Sequence, residues 1–269
     1  MDAVIVIPAR YASSRYPAKP LALLRGARGI ARSLLERSVI AARAAAAATP
    51  GVTGVYVATD DDRIAAEAAR VGAEVILTDP DCENGTARVA QAVARAGLTQ
   101  PIVVNLQGDA PLTPPHFVTA LVDKLRADPS AQVATPVLRC DAEALANFRR
   151  DRAEGRVGAT TVVRGATGQA LYFSKEVIPF TGPLDPGAPI PVFHHIGLYA
   201  YRPAALALYT ALPPGALERL EGLEQLRFLE HGHPIAAVEV AAPGAAFWEL
   251  NNPSDVPLIE GYLARMGID

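Results

Sequence analysis

Long apolar stretches are missing from this 269-residue sequence, and no run reaches the roughly 20 residues that span a bilayer, so no membrane partner is expected. Cysteine is scarce. Cys82 and Cys140 lie far apart and form no C-x-x-C pair, which argues against a zinc site or a disulfide framework and suits a reducing compartment. Basic charge is not in excess: 25 Lys and Arg against 28 Asp and Glu leave a formal charge of -3, without the footprint of a nucleic-acid binder. Any polyanion the chain handles must therefore meet a local basic cluster. No glycine occurs between Pro8 and Lys19, which removes the G-x-G-x-x-G fingerprint after the first strand and with it a dinucleotide-dependent oxidoreductase. No Ser- or Gly-rich linker and no internal repeat divides the chain. With 50% hydrophobic and 20% charged residues, a sizeable core is affordable, and a single domain over residues 1–269 is expected. The first residues enter a strand directly, with no basic n-region or cleavage site, so a cytoplasmic location is expected.

What is present alternates strand and helix. Residues 3–7 (AVIVI), 54–58, 73–77 and 101–106 read as strands, the first and last as buried on both faces. Residues 30–48, 60–71, 85–96 and 114–126 read as helices. This pattern predicts an α/β fold, Rossmann-like, with a mostly parallel sheet and right-handed crossovers. After about Asp141 it becomes a mixed α/β lobe. Residues 157–164 and 169–174 form a hairpin around Gly165–Gly168, and 192–201 a longer strand. Helices follow at 203–210 and 217–231, then a strand at 235–240 and a closing helix at 253–266.

The loop after the first strand is the strongest chemical signal. Pro8, Ala9, Arg10, Arg15 and Lys19 lie in a proline-punctuated segment, PARYASSRYPAKPL, where ligands of open α/β sheets bind. Three cations separated by small residues can wrap a triphosphate, Arg through forked hydrogen bonds and Lys as a point charge. Asp109 closes the strand at 101–106. A strand-end aspartate can hold Mg²⁺, which prefers carboxylate oxygen and keeps waters and phosphate as further ligands, or it can cap a helix or turn. Gly85, Thr86 and Arg88 stand at a helix start, where N–H groups can meet an acceptor. His195, Gly197, Tyr199, Glu224 and Gln225 carry polar groups suited to a hydroxylated ligand. Glu224 and Gln225 also read as the wet face of an amphipathic helix, and Tyr199 as core.

The loop resembles the signature of sugar-acid cytidylyltransferases, PAR-x-x-S-x-R-x-P-x-K-x-L, and most of all the branch that activates 3-deoxy-manno-octulosonate (Kdo). The resemblance continues in Val57-Ala58-Thr59-Asp60, Asn84-Gly85-Thr86-Ala87-Arg88, Val104-Asn105-Leu106-Gln107-Gly108-Asp109, Ala170-Leu171-Tyr172-Phe173-Ser174, His195-Ile196-Gly197-Leu198-Tyr199 and Leu223-Glu224-Gln225-Leu226-Arg227. Each string alone is weak; together and in order they are specific. The resemblance implies transfer of CMP from CTP to an acidic sugar, with pyrophosphate leaving, for cell-surface polysaccharide synthesis. It implies residues 1–140 as the CTP-binding half, with Lys19, Arg10 and Asp109 catalytic. Pro8, Ala9, Arg10, Arg15, Lys19, Thr59, Asp60, Gly85, Thr86, Arg88 and Gln107 would bind CTP. Residues 141–269 would bind the acceptor, through Gln107, His195, Gly197, Tyr199, Glu224 and Gln225, and form a homodimer. Mg²⁺ would sit on Asp109 and on residue 251.

At that last position the sequence departs from the family, whose D-T-P-E-D motif supplies a second metal aspartate. Here the string is Asn251-Asn252-Pro253-Ser254-Asp255, and the amide contributes no negative charge. Ala110 replaces the usual Glu after Q-G-D, Lys175 stands where arginine is common, and Thr161 where lysine is common. The changes gather on the acceptor side. They leave open 8-amino-Kdo, another ulosonic acid or a phosphonate as acceptor, and a nucleotide-binding protein without turnover as the remaining alternative.

Overall fold

The computed structural model describes residues 1–12, 16–157, 159–185, 187–242 and 249–269. Its first half follows the alternation of the sequence. Strands β1 (Ala3–Ala9), β4 (Val52–Thr59), β5 (Glu74–Leu77) and β6 (Ile102–Leu106) alternate with helices α1 (Leu34–Ala48), α2 (Asp62–Arg70), α3 (Gly85–Arg95) and α4 (Pro115–Ala127). These strands run parallel in the order β5-β4-β1-β6. Period-two alternation sends Ile5 and Ile7 to one face, against α1 and α4, and Val4 and Val6 to the other. Burial on both faces is the reason the unbroken AVIVI run is a strand.

The helix expected from residue 30 begins only at Leu34. Before it, β2 (Leu23–Arg25) and β3 (Ala31–Ser33) form a small antiparallel hairpin turned at Gly26–Gly29. Ser33 then caps α1, accepting from the Glu36 N–H at 3.0 Å. The chain's last helix, α9 (Val256–Arg265), returns to pack Ile259 and Leu263 with Leu24 of this hairpin, Leu34 of α1 and Leu250 in one apolar cluster.

In the second half, β7 (Val133–Arg139) and α5 (Ala142–Ala153) form where the sequence pattern raised no expectation. Pro136 in mid-strand hides β7, since proline lacks the N–H of a ladder. The hairpin β8 (Thr160–Arg164) and β9 (Ala170–Ser174) is antiparallel as expected. The expected long strand at 192–201 is broken into β10 (Phe193–His195) and β11 (Leu198–Tyr201). Both lie along β7, with His195 opposite Val137 and Ala200 opposite Ala134, so residues 196–199 face only Thr135 and Pro136. The break falls where Pro136 has no N–H to offer. Beyond it the outer neighbours differ, β8 beside β10 and β6 beside β11, so the sheet divides there. With β12 (Ala236–Glu239) on β7, the sheet is ten-stranded.

The expected helix at 217–231 is likewise two, α7 (Ala216–Glu221) and α8 (Leu226–Glu230), after α6 (Pro203–Ala211). Gly222, at φ 61°, ends α7 in a left-handed cap, and residues 223–225 form a turn.

Among the described residues Ala18 is the one non-glycine with positive φ, at 57°. An L-residue pays roughly 1–2 kcal/mol there, which glycine avoids at a larger entropic loss on folding. Ala18→Gly should therefore stabilise the fold by a net of roughly 0.5–1 kcal/mol. Urea unfolding should show a raised midpoint at unchanged slope; a lowered midpoint would mean that the side chain of Ala18 matters more than its backbone.

Candidate active site

The carboxyl ends of β1, β4 and β6 converge. Pro8 and Ala9 lie beside Ala58 and Thr59 in parallel register, and β6 leads directly into Gln107, Gly108 and Asp109. At Gly108 a β-carbon would come 2.7 Å from the Pro8 carbonyl oxygen. The glycine thus serves the close approach of two strand ends. The signature loop is clipped at its base by Ala18 N–H donating to Tyr11 O at 3.0 Å, and the Arg63 guanidinium stacks on the Tyr11 ring. Arg10 is exposed at the end of β1. Arg15 lies outside the described residues. Lys19 reaches across the cleft and donates from Nζ to Asp109 Oδ2 at 2.6 Å.

The start of α3 is engaged by protein partners at Asn84, Thr86 and Arg88. Asn84 caps it, accepting from Ala87 N–H at 2.9 Å, and its Nδ2 donates to the Tyr209 hydroxyl. The acceptor that Thr86 N–H meets is the Glu224 carboxylate, at 3.3 Å, while the Thr86 hydroxyl lies 3.1 Å from that of Tyr201. Arg88 is buried. It ion-pairs with Asp60 at 2.9 Å and donates to Thr78, so these two expected nucleotide contacts hold each other below the strand edge. Thr59 is buried beside them.

All six residues expected at the acceptor, Gln107, His195, Gly197, Tyr199, Glu224 and Gln225, line one cavity of about 770 Å³ together with Asp109 and Asn251. The cavity opens where the sheet divides. The turn after Gly222 explains why Glu224 and Gln225 enter it: they do not lie on a wet helix face. The Gln225 Nε2 is buried and has no protein acceptor. Behind the turn, Arg227 grips Glu218 through two hydrogen bonds of 2.7 and 2.8 Å and reaches Glu83 at 2.9 Å, which fixes the turn to the loop before α3. His195 Nε2 lies 3.1 Å from Thr135 Oγ1, whose single proton goes to the Leu198 or Ile196 carbonyl. With that proton on the Leu198 carbonyl, the shortest of the three contacts at 2.8 Å, the ring donates from Nε2 and Nδ1 is its acceptor.

Two further charged lining residues are Lys175 and Glu249. Lys175 is the one cation lining the cavity among the described residues. Glu249 Oε1 lies 3.0 Å from where a β-carbon of Gly197 would be, so glycine at 197 makes room for it. Its signal was positional: Glu249 stands two residues before Asn251 and shares its side of the chain.

Asp109 and Asn251 are brought together because Leu250 N–H donates to Asp109 O at 2.9 Å. One carboxylate and one amide oxygen form a hard donor set that fits a Mg²⁺ taking its remaining ligands from phosphate and water. Asp255 does not compete, since its Oδ2 accepts from the N–H groups of Asn251 and Asn252 at 2.8 and 2.7 Å.

Burial pushes the Glu224 carboxyl above its usual 4.5, against the lowering by Thr86. The folded chain then binds more protons here than the unfolded one, so stability falls as pH rises from 4.5 through the raised value. Glu224→Gln should melt at higher temperature than the parent at pH 8, by about 2–4 °C for each kcal/mol relieved. The advantage should vanish below pH 4.5, and turnover should drop. Equal melting curves at pH 8 would show that the carboxylate carries no burial cost. Burial also pushes His195 down to about 3, with His194 adding to it, and His194 to about 4. In NMR titrations both rings should stay neutral between about pH 5 and 8; a ring titrating near 6.5 would place it in water.

The described residues contain no helix long and apolar enough to cross a membrane. The cytidylyltransferase family matches residues 4–235. The 3-deoxy-manno-octulosonate cytidylyltransferase of Maricaulis maris (strain MCS10) is 46% identical over 267 residues, covering 99% of each chain. The 8-amino-3,8-dideoxy-manno-octulosonate cytidylyltransferase of Shewanella sp. (strain W3-18-1) is 36% identical, covering 98% of this chain and 99% of its own. The solved structure of CMP:2-keto-3-deoxy-manno-octonic acid synthetase complexed with CTP has a TM-score of 0.81 at 33% identity, covering 99% of this chain and 100% of that one. A sheet whose parallel strand ends carry the signature loop, matched over its whole length by such relatives, leaves one assignment: the chain belongs to the cytidylyltransferase family and is a CTP-dependent nucleotidyltransferase.

Proposed function

We propose that the chain transfers CMP from CTP to Kdo with release of pyrophosphate, using Mg²⁺, and so supplies an activated sugar acid for cell-surface polysaccharide. The observation that carries this reading is the cavity: every residue expected at the acceptor lines it, beside the Lys19–Asp109 pair. The acceptor is a hydroxylated acid. Lys175 meets its carboxylate, Gln225 lines the wall beside it, and neutral His195 presents an acceptor nitrogen to a hydroxyl. Gln107, whose amide lies against Gly85 and whose Cγ faces Gly197, marks the junction between nucleotide and acceptor.

In the reaction the acceptor hydroxyl attacks the α-phosphorus and the bond to pyrophosphate breaks. Arg10, Arg15 and Lys19 counter the charge on the phosphoryl oxygens and the leaving group. Asp109 and Asn251 would hold Mg²⁺, which when bound polarises the phosphate. The chain works as a homodimer in this reading, the exposed Leu171 of β9 and Phe180 after it offering apolar surface. One observation favours a second acceptor: Glu249 adds a carboxylate to the cavity, suited to the ammonium of 8-amino-Kdo.

Pyrophosphate release with CTP and Mg²⁺ should be fastest with Kdo or its 8-amino form, and slow with UTP, ATP or GTP. Asp109→Asn should lower kcat roughly a hundredfold or more with the fold intact. Near-normal turnover in that variant would make Asp109 structural, and no release with either sugar would sink the acceptor assignment.

A further inference from the structure

Lys19 and Asp109 were each expected to serve the nucleotide, one as a phosphate cation and the other as a metal ligand. In the structure they serve each other. The ammonium and carboxylate meet at 2.6 Å, with side chains only 15% and 24% exposed, and Asp109 has no other ion pair among the described residues. Lys19 is delivered there by the left-handed backbone of Ala18, which starts the 3₁₀ turn Lys19–Leu21. A strained non-glycine residue is retained where the surroundings over-determine it, commonly at a functional site.

We infer that Lys19 is an interlock on the metal site. In the resting chain it is the counter-ion of Asp109, and it transfers to a phosphate when the nucleotide arrives, so Asp109 is released to a divalent cation only in the nucleotide's presence. This rests on the CTP and Mg²⁺ reading above.

The chemistry runs as a competition for one carboxylate. An ammonium 2.6 Å from Asp109 Oδ2 repels a dication brought to either oxygen of that carboxylate and lowers the charge left to hold it. The backbone oxygen of Asp109 is spent on Leu250, and Asn251 adds only a neutral oxygen, so no second charge in the pair draws the cation in. A triphosphate changes the balance. It brings enough negative charge to satisfy Lys19 and to share the dication with Asp109, so both exchanges become favourable in one step. Arg10, exposed at the strand end, is also a phosphate cation but does not pair with Asp109.

The test is direct binding of Mn²⁺, a spectroscopic stand-in for Mg²⁺, by electron paramagnetic resonance, with no acceptor and no turnover. The proteins are the parent, Lys19→Met, Lys19→Gln and Arg10→Met, each checked for fold by circular dichroism. Without nucleotide, both Lys19 variants should bind Mn²⁺ at least about tenfold more tightly than the parent. Arg10→Met should match the parent. With an α,β-methylene CTP analogue, the parent should gain strongly in Mn²⁺ affinity and the Lys19 variants little. The interlock is overturned if the folded Lys19 variants bind nucleotide-free Mn²⁺ no better than the parent. It is also overturned if Arg10→Met tightens binding as much, since a general field effect would then suffice. A parent that turns over CTP normally while the Lys19 variants show no tightening would sink the interlock and leave the proposed activity standing.

Discussion

The cleft exists because two neighbouring strands cannot stay in register past one proline. Pro136 has no N–H, and the strand opposite answers by looping out residues 196–197. Thr135 holds that loop, hydrogen-bonded to the carbonyls of Ile196 and Leu198 and to the His195 ring. Past the break β10 follows β8 and β11 follows β6, so the sheet opens at the level of Gln107 and Asp109. The same break that makes the cavity thus sets the tautomer of a ring in its wall and frees Gly197 to lie beside Glu249. A polar site placed in a broken ladder also avoids competing with backbone hydrogen bonds that are already satisfied.

The two substrate regions share a physical link. Glu224 belongs to the acceptor cavity, yet its carboxylate accepts from Thr86 at the N-terminus of α3. That contact satisfies an orphan helix N–H and lets a buried carboxylate lie at the positive end of a helix. Arg227, anchored on Glu218 and Glu83, fixes the turn from behind. A shift of α3 on binding a base would therefore be felt at Glu224 and Gln225 without any contact between the ligands.

Legibility in the sequence followed locality. The parallel half was readable because AVIVI and PIVVNL carry their own periodicity and the helices their own caps. β7 was not, because Pro136 forbids a regular strand by local rules and is tolerated only through the distant bulge at 196–197. The hairpin before α1 was hidden by strong helix formers that continue into it, and the split at Gly222 by apolar spacing that carries across the glycine. At the site, the motif residues were legible as strings, and the structure brings six of them to one cavity. Their partners were not. That Asp60 meets Arg88, Thr86 meets Glu224 and Lys19 meets Asp109 depends on chain separations that no window of sequence spans. Glu249 was missed for a related reason: it gains meaning from the wall it faces.

The remaining question is how a cavity so rich in carboxylates admits two anions. An unpaired carboxylate about 4 Å from a phosphate oxygen would cost roughly 4 kcal/mol at an effective dielectric near 20, enough to cancel a good phosphate contact. Four of the lining carboxylates have partners in the chain that answer them. Asp109 is neutralised by Lys19, and Asp151 by Arg156 at 2.8 Å. Asp255 is spent on two backbone N–H groups, and Glu224 on the α3 terminus, where burial also favours its protonated form. With each of these charges already answered, Lys175 and the loop cations act on incoming ligands with little opposition. An amide at 251 fits the same balance: a second aspartate beside Asp109 would add charge that Lys19 alone could not balance in the resting chain, whereas a neutral oxygen adds none to repel a phosphate.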